Sequence, residues 1–235
     1  MAETAVVLLS GGMDSATALA MTIKAGHAVI GLTFDYSQRH RKEVEAAKRI
    51  ATHFRVRDHR IVTIDLSAIG GSALTDPRIR VPEQRRIEEI GRGIPITYVP
   101  ARNTILLAYA LGLAEATASK SIVIAANQID YSGYPDCRPE YYTAFQEVAR
   151  LGTKRGVEGD VIEIRTPLIR MSKADIVRKG TELGVPWELT WSCYSGEPKA
   201  CGVCDSCQLR LKGFREAGVK DPLPYAGART RARNA

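Results

Sequence analysis

Short apolar runs alternating with amphipathic stretches constrain this chain more than any other feature. The runs fall at 5–9, 28–34, 61–66, 121–126 and 161–165, and helical periodicity occupies 14–25, 38–54, 103–119, 139–151 and 172–184. In the second helical stretch, Val44, Ala47, Ile50, Ala51 and Phe54 share a face, with charges on the opposite side. Strands that are continuously apolar have no face to offer water, so helices must cover both sides. Strand–helix–strand alternation then gives a parallel sheet. Gly26 and Gly184 read as helix stops, and Ser172-Lys173-Ala174-Asp175 as a capping-box-like start. At 235 residues, 45% hydrophobic and 25% charged, the chain has the makings of an ordinary globular core. No apolar run approaches the ~20 residues of a membrane span. The N-terminus carries no basic stretch with a small-residue cleavage site, so a soluble cytoplasmic protein with no membrane partner is expected.

The alternation breaks from 67 to 96, where Gly70-Gly71, Asp76-Pro77 and dense charges suggest a surface excursion. A loop of this length usually serves function, and it reads as a lid. The formal charge of +7 invites an anionic partner but does not separate ATP from RNA. Much of the excess lies near the end, in Arg210, Lys212, Arg215 and Lys220, and in a small-residue, basic tail over 226–235 expected to be disordered.

Leu8-Leu9-Ser10-Gly11-Gly12-Met13-Asp14-Ser15 stands where the first strand turns into the first helix. Open α/β sheets bind ligands at the carboxyl ends of their strands. The glycines let backbone N–H groups converge on an anion, the helix adds the positive end of its dipole, and Ser10 and Ser15 add hydroxyls. Asp14 is an odd residue to aim at phosphate unless Mg²⁺ bridges the two or the carboxylate caps the helix. A Gly-Gly turn alone is commonly structural; the whole string after an apolar strand points to phosphate. It is neither a Walker A loop nor a dinucleotide turn.

Five cysteines occur, four of them within fifteen positions as Cys193-x7-Cys201-x2-Cys204-x2-Cys207. Each x2 spacing allows a knuckle in which backbone N–H groups donate to sulfur. Four thiolates close a tetrahedral zinc shell, so one structural Zn²⁺ per chain is expected, with an iron–sulfur cluster as the rival. Cys137 stands apart. No His/Ser/Asp constellation is apparent, and His27, His40, His53 and His59 read as packing residues.

The Ser-Gly-Gly-x-Asp-Ser string resembles the PP-loop of the adenine nucleotide alpha-hydrolase superfamily, whose members adenylate a carboxylate or carbonyl oxygen and retain pyrophosphate. That resemblance implies a Rossmann-like five-stranded parallel sheet, here with a small C-terminal zinc-binding appendage. Its ATP contacts would fall on Leu8, Leu9, Ser10, Gly11, Gly12, Met13, Asp14, Ser15, Ala16, Thr17 and Ala18. Three further segments narrow the resemblance: Val99-Pro100-Ala101-Arg102-Asn103-Thr104, Asp130-Tyr131-Ser132-Gly133-Tyr134-Pro135-Asp136-Cys137-Arg138-Pro139, and Leu189-Thr190-Trp191-Ser192-Cys193-Tyr194. With Cys204-Asp205-Ser206-Cys207 they resemble the 7-cyano-7-deazaguanine synthase family over about 4–225. Ala101 departs from it, glycine being expected there more often.

The resemblance implies an ATP-dependent carbon–nitrogen ligase of queuosine biosynthesis acting on 7-carboxy-7-deazaguanine, ATP with Mg²⁺, and ammonia, in a homodimer. Lys173 matches a lysine expected near phosphate, or is a solvated helix-start residue. Arg102 and Asn103 either contact nucleotide or substrate or cap their helix. Tyr131, Ser132, Tyr134, Asp136 and Arg138 either form the base pocket or make an ordinary turn. In the pocket reading a tyrosine stacks on the ring, Asp136 accepts its N–H donors and Arg138 pairs with the carboxylate. The expected organisation is a nucleotide-binding α/β unit over 1–188, a zinc-binding segment packed on it over 189–225, and the tail. Two alternatives stand beside this. A PP-loop tRNA-modifying thiolase or ligase would need a reactive cysteine pair or an RNA-binding domain, and neither is visible, so nucleic acid is not expected as a partner. A non-catalytic nucleotide- or zinc-binding module would not require so crowded a 131–138 loop.

Overall fold

The structure is a computed structural model that describes residues 2–90, 93–128 and 133–226. Five parallel strands, β1 (Thr4–Leu8), β2 (Ala28–Asp35), β3 (Asp58–Thr63), β4 (Ser121–Val123) and β5 (Glu163–Arg165), form one sheet in the order β3-β2-β1-β4-β5. The helices are α1 (Met13–Lys24), α2 (Lys42–His53), α3 (Arg102–Ala116), α4 (Pro139–Gly152), the single turn α5 (Lys154–Val157), α6 (Lys173–Glu182) and α7 (Asp205–Ala217). Side chains alternate along β1 as a two-sided sheet requires. Val6 and Leu8 enter a core with Leu107, Ala110 and Phe145 of α3 and α4. Ala5 and Val7 enter another with Leu19 of α1, Ile50 of α2, Ile176 of α6 and Phe214 of α7. No helix among the described residues is long and apolar enough to cross a membrane.

Of the expected boundaries that move, three do so for a packing reason. β3 lies at 58–63 rather than 61–66. It is the sheet edge, so Asp58, His59 and Arg60 pair with Ile30, Gly31 and Leu32 while Ile61 stays exposed. The apolar signal lags because Leu66 tucks into the core after the chain has left the sheet. α2 starts at Lys42 rather than 38, because Ser37 has a φ of +62° and Gln38 folds back to accept the Tyr36 N–H at 2.7 Å. β4 ends at Val123, and after Ile124, whose N–H still donates to Arg165 O at 3.0 Å, the chain leaves the sheet, with residues 124–126 lining a cavity. The capping box appears as read: the Ser172 hydroxyl accepts the Asp175 N–H at 3.2 Å, and the Asp175 carboxylate accepts the Ser172 N–H at 3.1 Å.

The 67–96 excursion carries no regular element beyond a 3₁₀ turn at Ile87–Glu89 among the described residues, yet it is anchored. Ala73 N–H donates to Ile96 O at 2.8 Å, Gln84 N–H donates to Val203 O at 2.8 Å, and Glu83 forms an antiparallel bridge with Cys204. It therefore walls the cavity from above, with Leu74, Arg85 and Pro95 on the inner side. Of the basic tail, only Ala226 lies within the described residues.

Candidate active site

β1 is the switch point of the sheet: β2 and β3 build outward on one side, β4 and β5 on the other. Crossovers diverge there and leave a crevice beyond the strand ends. The glycine loop occupies it. Gly11 has a φ of +85°, and a Cβ at that position would lie 2.2 Å from Glu43 O and 2.7 Å from Ala47 N. Only glycine lets the loop press flat against α2. Ser10 and Ser15 hydroxyls meet at 3.0 Å, Ser15 Oγ accepts the Ser10 N–H at 3.2 Å, and Ser10 Oγ accepts the Gly12 N–H at 3.3 Å. Gly12 is the N-cap of α1 with no side-chain cap, so the helix's first N–H groups are left for a ligand.

A cavity of about 300 Å³ opens over this loop, within the range of small-molecule sites. Leu8, Leu9, Ser10, Gly12, Met13, Asp14 and Ser15 line its floor. Gly11 turns its back on it, and Ala16, Thr17 and Ala18 are buried within α1, so the expected contact stretch ends at Ser15. Asp14 is neither a cap nor alone. Lys173 Nζ, from the first residue of α6, lies 2.7 Å from Asp14 Oδ2, and Asn127 Nδ2 lies 3.3 Å from the same oxygen. The other oxygen, Oδ1, is buried without a partner among the described residues, as a cation ligand or a ligand-facing acceptor would be. Lys173 is thus at the floor of the cavity rather than in solvent.

Arg102 faces the loop from the start of α3, its Nη1 3.4 Å from the Tyr36 hydroxyl. Asn103 borders the cavity, but its Nδ2 donates to Asp136 O and Cys137 Sγ, each at 3.1 Å. Asp136, expected in the base pocket, is placed against the start of α3. Its carboxylate is buried, accepts the Asn103 N–H at 3.0 Å and does not line the cavity. Four orphan N–H groups at the start of α3 need acceptors, and Asp136 meets one of them. Arg138 is exposed at the head of α4 and is likewise absent from the walls. Tyr134 is present there, its hydroxyl 3.2 Å from Thr97 Oγ1. Tyr131 and Ser132 lie outside the described residues.

The four clustered cysteine sulfurs all lie within 4.8 Å of one another, with Cys201 and Cys207 3.9 Å apart. A tetrahedral site with Zn–S of ~2.3 Å asks for sulfurs about 3.8 Å apart. Backbone N–H groups of Cys201, Val203 and Cys204 donate to Cys193 and Cys201 sulfurs at 3.2–3.4 Å, the knuckle geometry the x2 spacing allows. These residues could hold a metal ion. Cys137 is buried elsewhere, beside Asn103.

Arg210 read as part of the basic excess near the end; it is instead 1% exposed. Its Nε and Nη2 meet the two Asp221 oxygens at 2.8 and 2.9 Å, while Nη1 and Nη2 donate to Thr190 Oγ1 and Trp187 O. These bonds fix the turn that leads to Trp191, whose backbone N–H donates to Gly11 O at 2.9 Å. The cysteine segment is therefore fastened to the glycine loop, not merely appended. Two of the histidines pack as read, His59 meeting Thr33 Oγ1 at 2.8 Å and His40 meeting Cys193 O at 2.9 Å, while His53 is exposed.

The sequence reading missed Glu43. It lines the cavity from the first turn of α2, where loss of water pushes its carboxyl up to about 7. The Arg102 charge pulls the other way, and Cys193 adds to the rise. Glu43 sits one turn before Ala47 on the apolar face, a place where the helical period predicts another core residue. That mismatch was the available signal.

Fold and site together define an ATP-using α/β enzyme of the PP-loop class. The family profile described as "Queuosine biosynthesis protein QueC" matches residues 4–218. The chain is 55% identical over 222 residues to the 7-cyano-7-deazaguanine synthase of Nostoc punctiforme, covering 94% of this chain and 99% of that one. It is 57% identical over 224 residues to the enzyme of the same name from Thermosynechococcus vestitus, covering 95% and 96%. Among solved structures, a 4-thiouridine synthetase in complex with RNA and bound ATP shares the fold at a TM-score of 0.50 and 20% identity, over 92% of this chain and 50% of that one. The chain belongs to the QueC family of queuosine biosynthesis.

Proposed function

We propose that this enzyme converts 7-carboxy-7-deazaguanine and ammonia into 7-cyano-7-deazaguanine, using ATP twice. The observation that carries this reading is the glycine loop set at the sheet's switch point, with Asp14 and Lys173 beneath one small-molecule cavity, in a chain of this family. A carboxylate oxygen leaves poorly as oxide and well as a phosphate ester. The first ATP therefore adenylates the substrate carboxylate, and ammonia displaces AMP to give the amide. The second ATP activates the amide oxygen, whose loss leaves the nitrile.

The protein's task is to hold the charge that develops on phosphate. Ser10, Gly12 and Ser15 present hydroxyl and N–H donors at the head of α1, and Lys173 supplies a fixed cation. Asp14, with its unpartnered Oδ1, is the residue that would hold Mg²⁺, which offsets phosphate charge when bound. Arg102 lies across the cavity, placed to meet the substrate carboxylate, and Tyr36 and Tyr134 offer aromatic faces to the ring. Asn103 and Asp136 act by fixing the start of α3, and with it Arg102. Cys193, Cys201, Cys204 and Cys207 would hold a structural Zn²⁺ that ties the C-terminal segment to the loop through Trp191. The same reading has the enzyme working in the cytoplasm as a homodimer.

Purified protein given ATP, Mg²⁺, ammonium and 7-carboxy-7-deazaguanine is expected to yield the amide and then the nitrile by mass spectrometry. Turnover of tRNA with none of the free base would overturn the reading.

A further inference from the structure

Nothing in that reading uses Glu43. Along α2, Ala47 and Ile50 follow it on the same face, and both are fully buried in the core. The stripe reaches the cavity one turn earlier, and there the chain places a carboxylate instead of a hydrocarbon. Its backbone is fixed hard against the glycine loop, since Glu43 O stands 2.2 Å from where a Gly11 Cβ would be. Among the described residues no ion pair or hydrogen bond engages the Glu43 carboxylate. Arg102 acts on its charge without pairing, Tyr36 and Cys193 interact with it as well, and Asp14, Lys173, Arg85 and Asp205 line the same cavity. The half-buried carboxylate thus lines the cavity with no partner among the described residues, open to a cationic ligand.

The proposed reaction supplies one. At neutral pH the nitrogen donor in solution is ammonium, which has no lone pair to attack with. It must be held beside the activated carboxyl and lose a proton there. We propose that Glu43 binds the ammonium ion in the cavity and accepts the proton that frees its lone pair. This rests on the ammonia-dependent amidation set out above. One N–H bond breaks and the proton passes to the Glu43 carboxylate. The nitrogen lone pair then forms the C–N bond, and the C–O bond to AMP breaks with its electron pair going to the phosphate oxygen. A second proton leaves the nitrogen to solvent, giving the neutral amide.

The test separates activation from amidation in Glu43→Gln. Activation is read as substrate-dependent exchange of labelled pyrophosphate into ATP without ammonium, and the variant should retain it. Amide formation from ammonium should fall by at least about 100-fold, the usual scale for loss of a positioned base. Hydroxylamine, largely unprotonated at pH 7.5, should still be converted to the hydroxamate at near the original rate. Glu43→Asp, which keeps a carboxylate, should recover part of the ammonium-dependent rate. Unchanged ammonium use in Glu43→Gln would overturn the proposal. So would a parallel loss of exchange, hydroxamate and amide formation that Glu43→Asp does not relieve, since that marks a structural residue. Absence of exchange in the unaltered protein would instead overturn the proposed function itself.

Discussion

Gly11 and Gly12 are neighbours in one motif, and the structure separates them sharply. Alanine at 11 would have to adopt a φ of +85° and set its Cβ 2.2 Å from Glu43 O and 2.7 Å from Ala47 N, both backbone atoms of α2. The left-handed conformation costs about 1–2 kcal/mol for a residue with a Cβ, and forcing apart packed backbone adds about 1–3 kcal/mol. The sum is about 2–5 kcal/mol. At about 2–4 °C per kcal/mol for a chain of this size, Tm should drop by roughly 10 °C. Gly12 has φ −80° and ψ 167°, which alanine adopts freely, and a Cβ there finds nothing nearer than Ser10 Oγ at 3.5 Å. Replacing an N-cap glycine with alanine costs roughly 1 kcal/mol at most. The added methyl would project over the phosphate-binding side, however. Gly12→Ala should therefore melt within a few degrees of the parent and lose the stabilisation that ATP confers. Thermal melts with and without ATP and Mg²⁺, with calorimetric titration of ATP, read both effects. A Gly11→Ala protein as stable as the parent would refute the claim that contact with α2 sets the loop. Equal losses of stability at the two positions would refute it as well.

Cys204→Ser should reduce bound zinc, measured by elemental analysis, from about one per chain to near zero. Because Trp191 ties this segment to Gly11, ATP affinity should fall too. Ala101 holds a φ of +52° at the head of α3, which explains why glycine is the expected residue there. Ala101→Gly should stabilise the protein by about 0.5–1 kcal/mol in urea, the relief of left-handed strain exceeding the added chain entropy. Asp221→Asn leaves the Arg210 guanidinium buried without its counter-charge and should cost about 3–5 kcal/mol at pH 7. Burial alone would raise the Asp221 carboxyl, but the Arg210 hydrogen bonds and charge outweigh it and hold it below the usual range. A depressed folded value means that the contribution is complete above the ordinary carboxylate pKa of about 4 and is lost as pH falls through the folded value. The gap between parent and variant in denaturant melts should stay constant from pH 7 to about 5 and narrow only below about 4.

Much of this protein could be read before folding because the relevant signals are local. Apolar runs of strand length announce a sheet covered on both faces, since no neighbouring residue can make them face water. Ser10-Gly11-Gly12 announces an anion site because backbone N–H groups converge only where side chains are missing. Cysteines two residues apart announce a knuckle because the chain between them is too short to do otherwise.

Only the tertiary structure decided which way side chains point once distant elements meet. Asp136, polar and next to the expected pocket, turned inward because the start of α3 needed an acceptor. Glu43, sited where a core residue was due, opens into the cavity because the stripe of α2 outruns the core at that turn. Arg210, one charge among many near the end of the chain, is buried because Asp221 comes back to meet it. Local spacing governs what a short segment can form. What a side chain then touches depends on residues tens or hundreds of positions away, and no periodicity along the chain encodes that encounter.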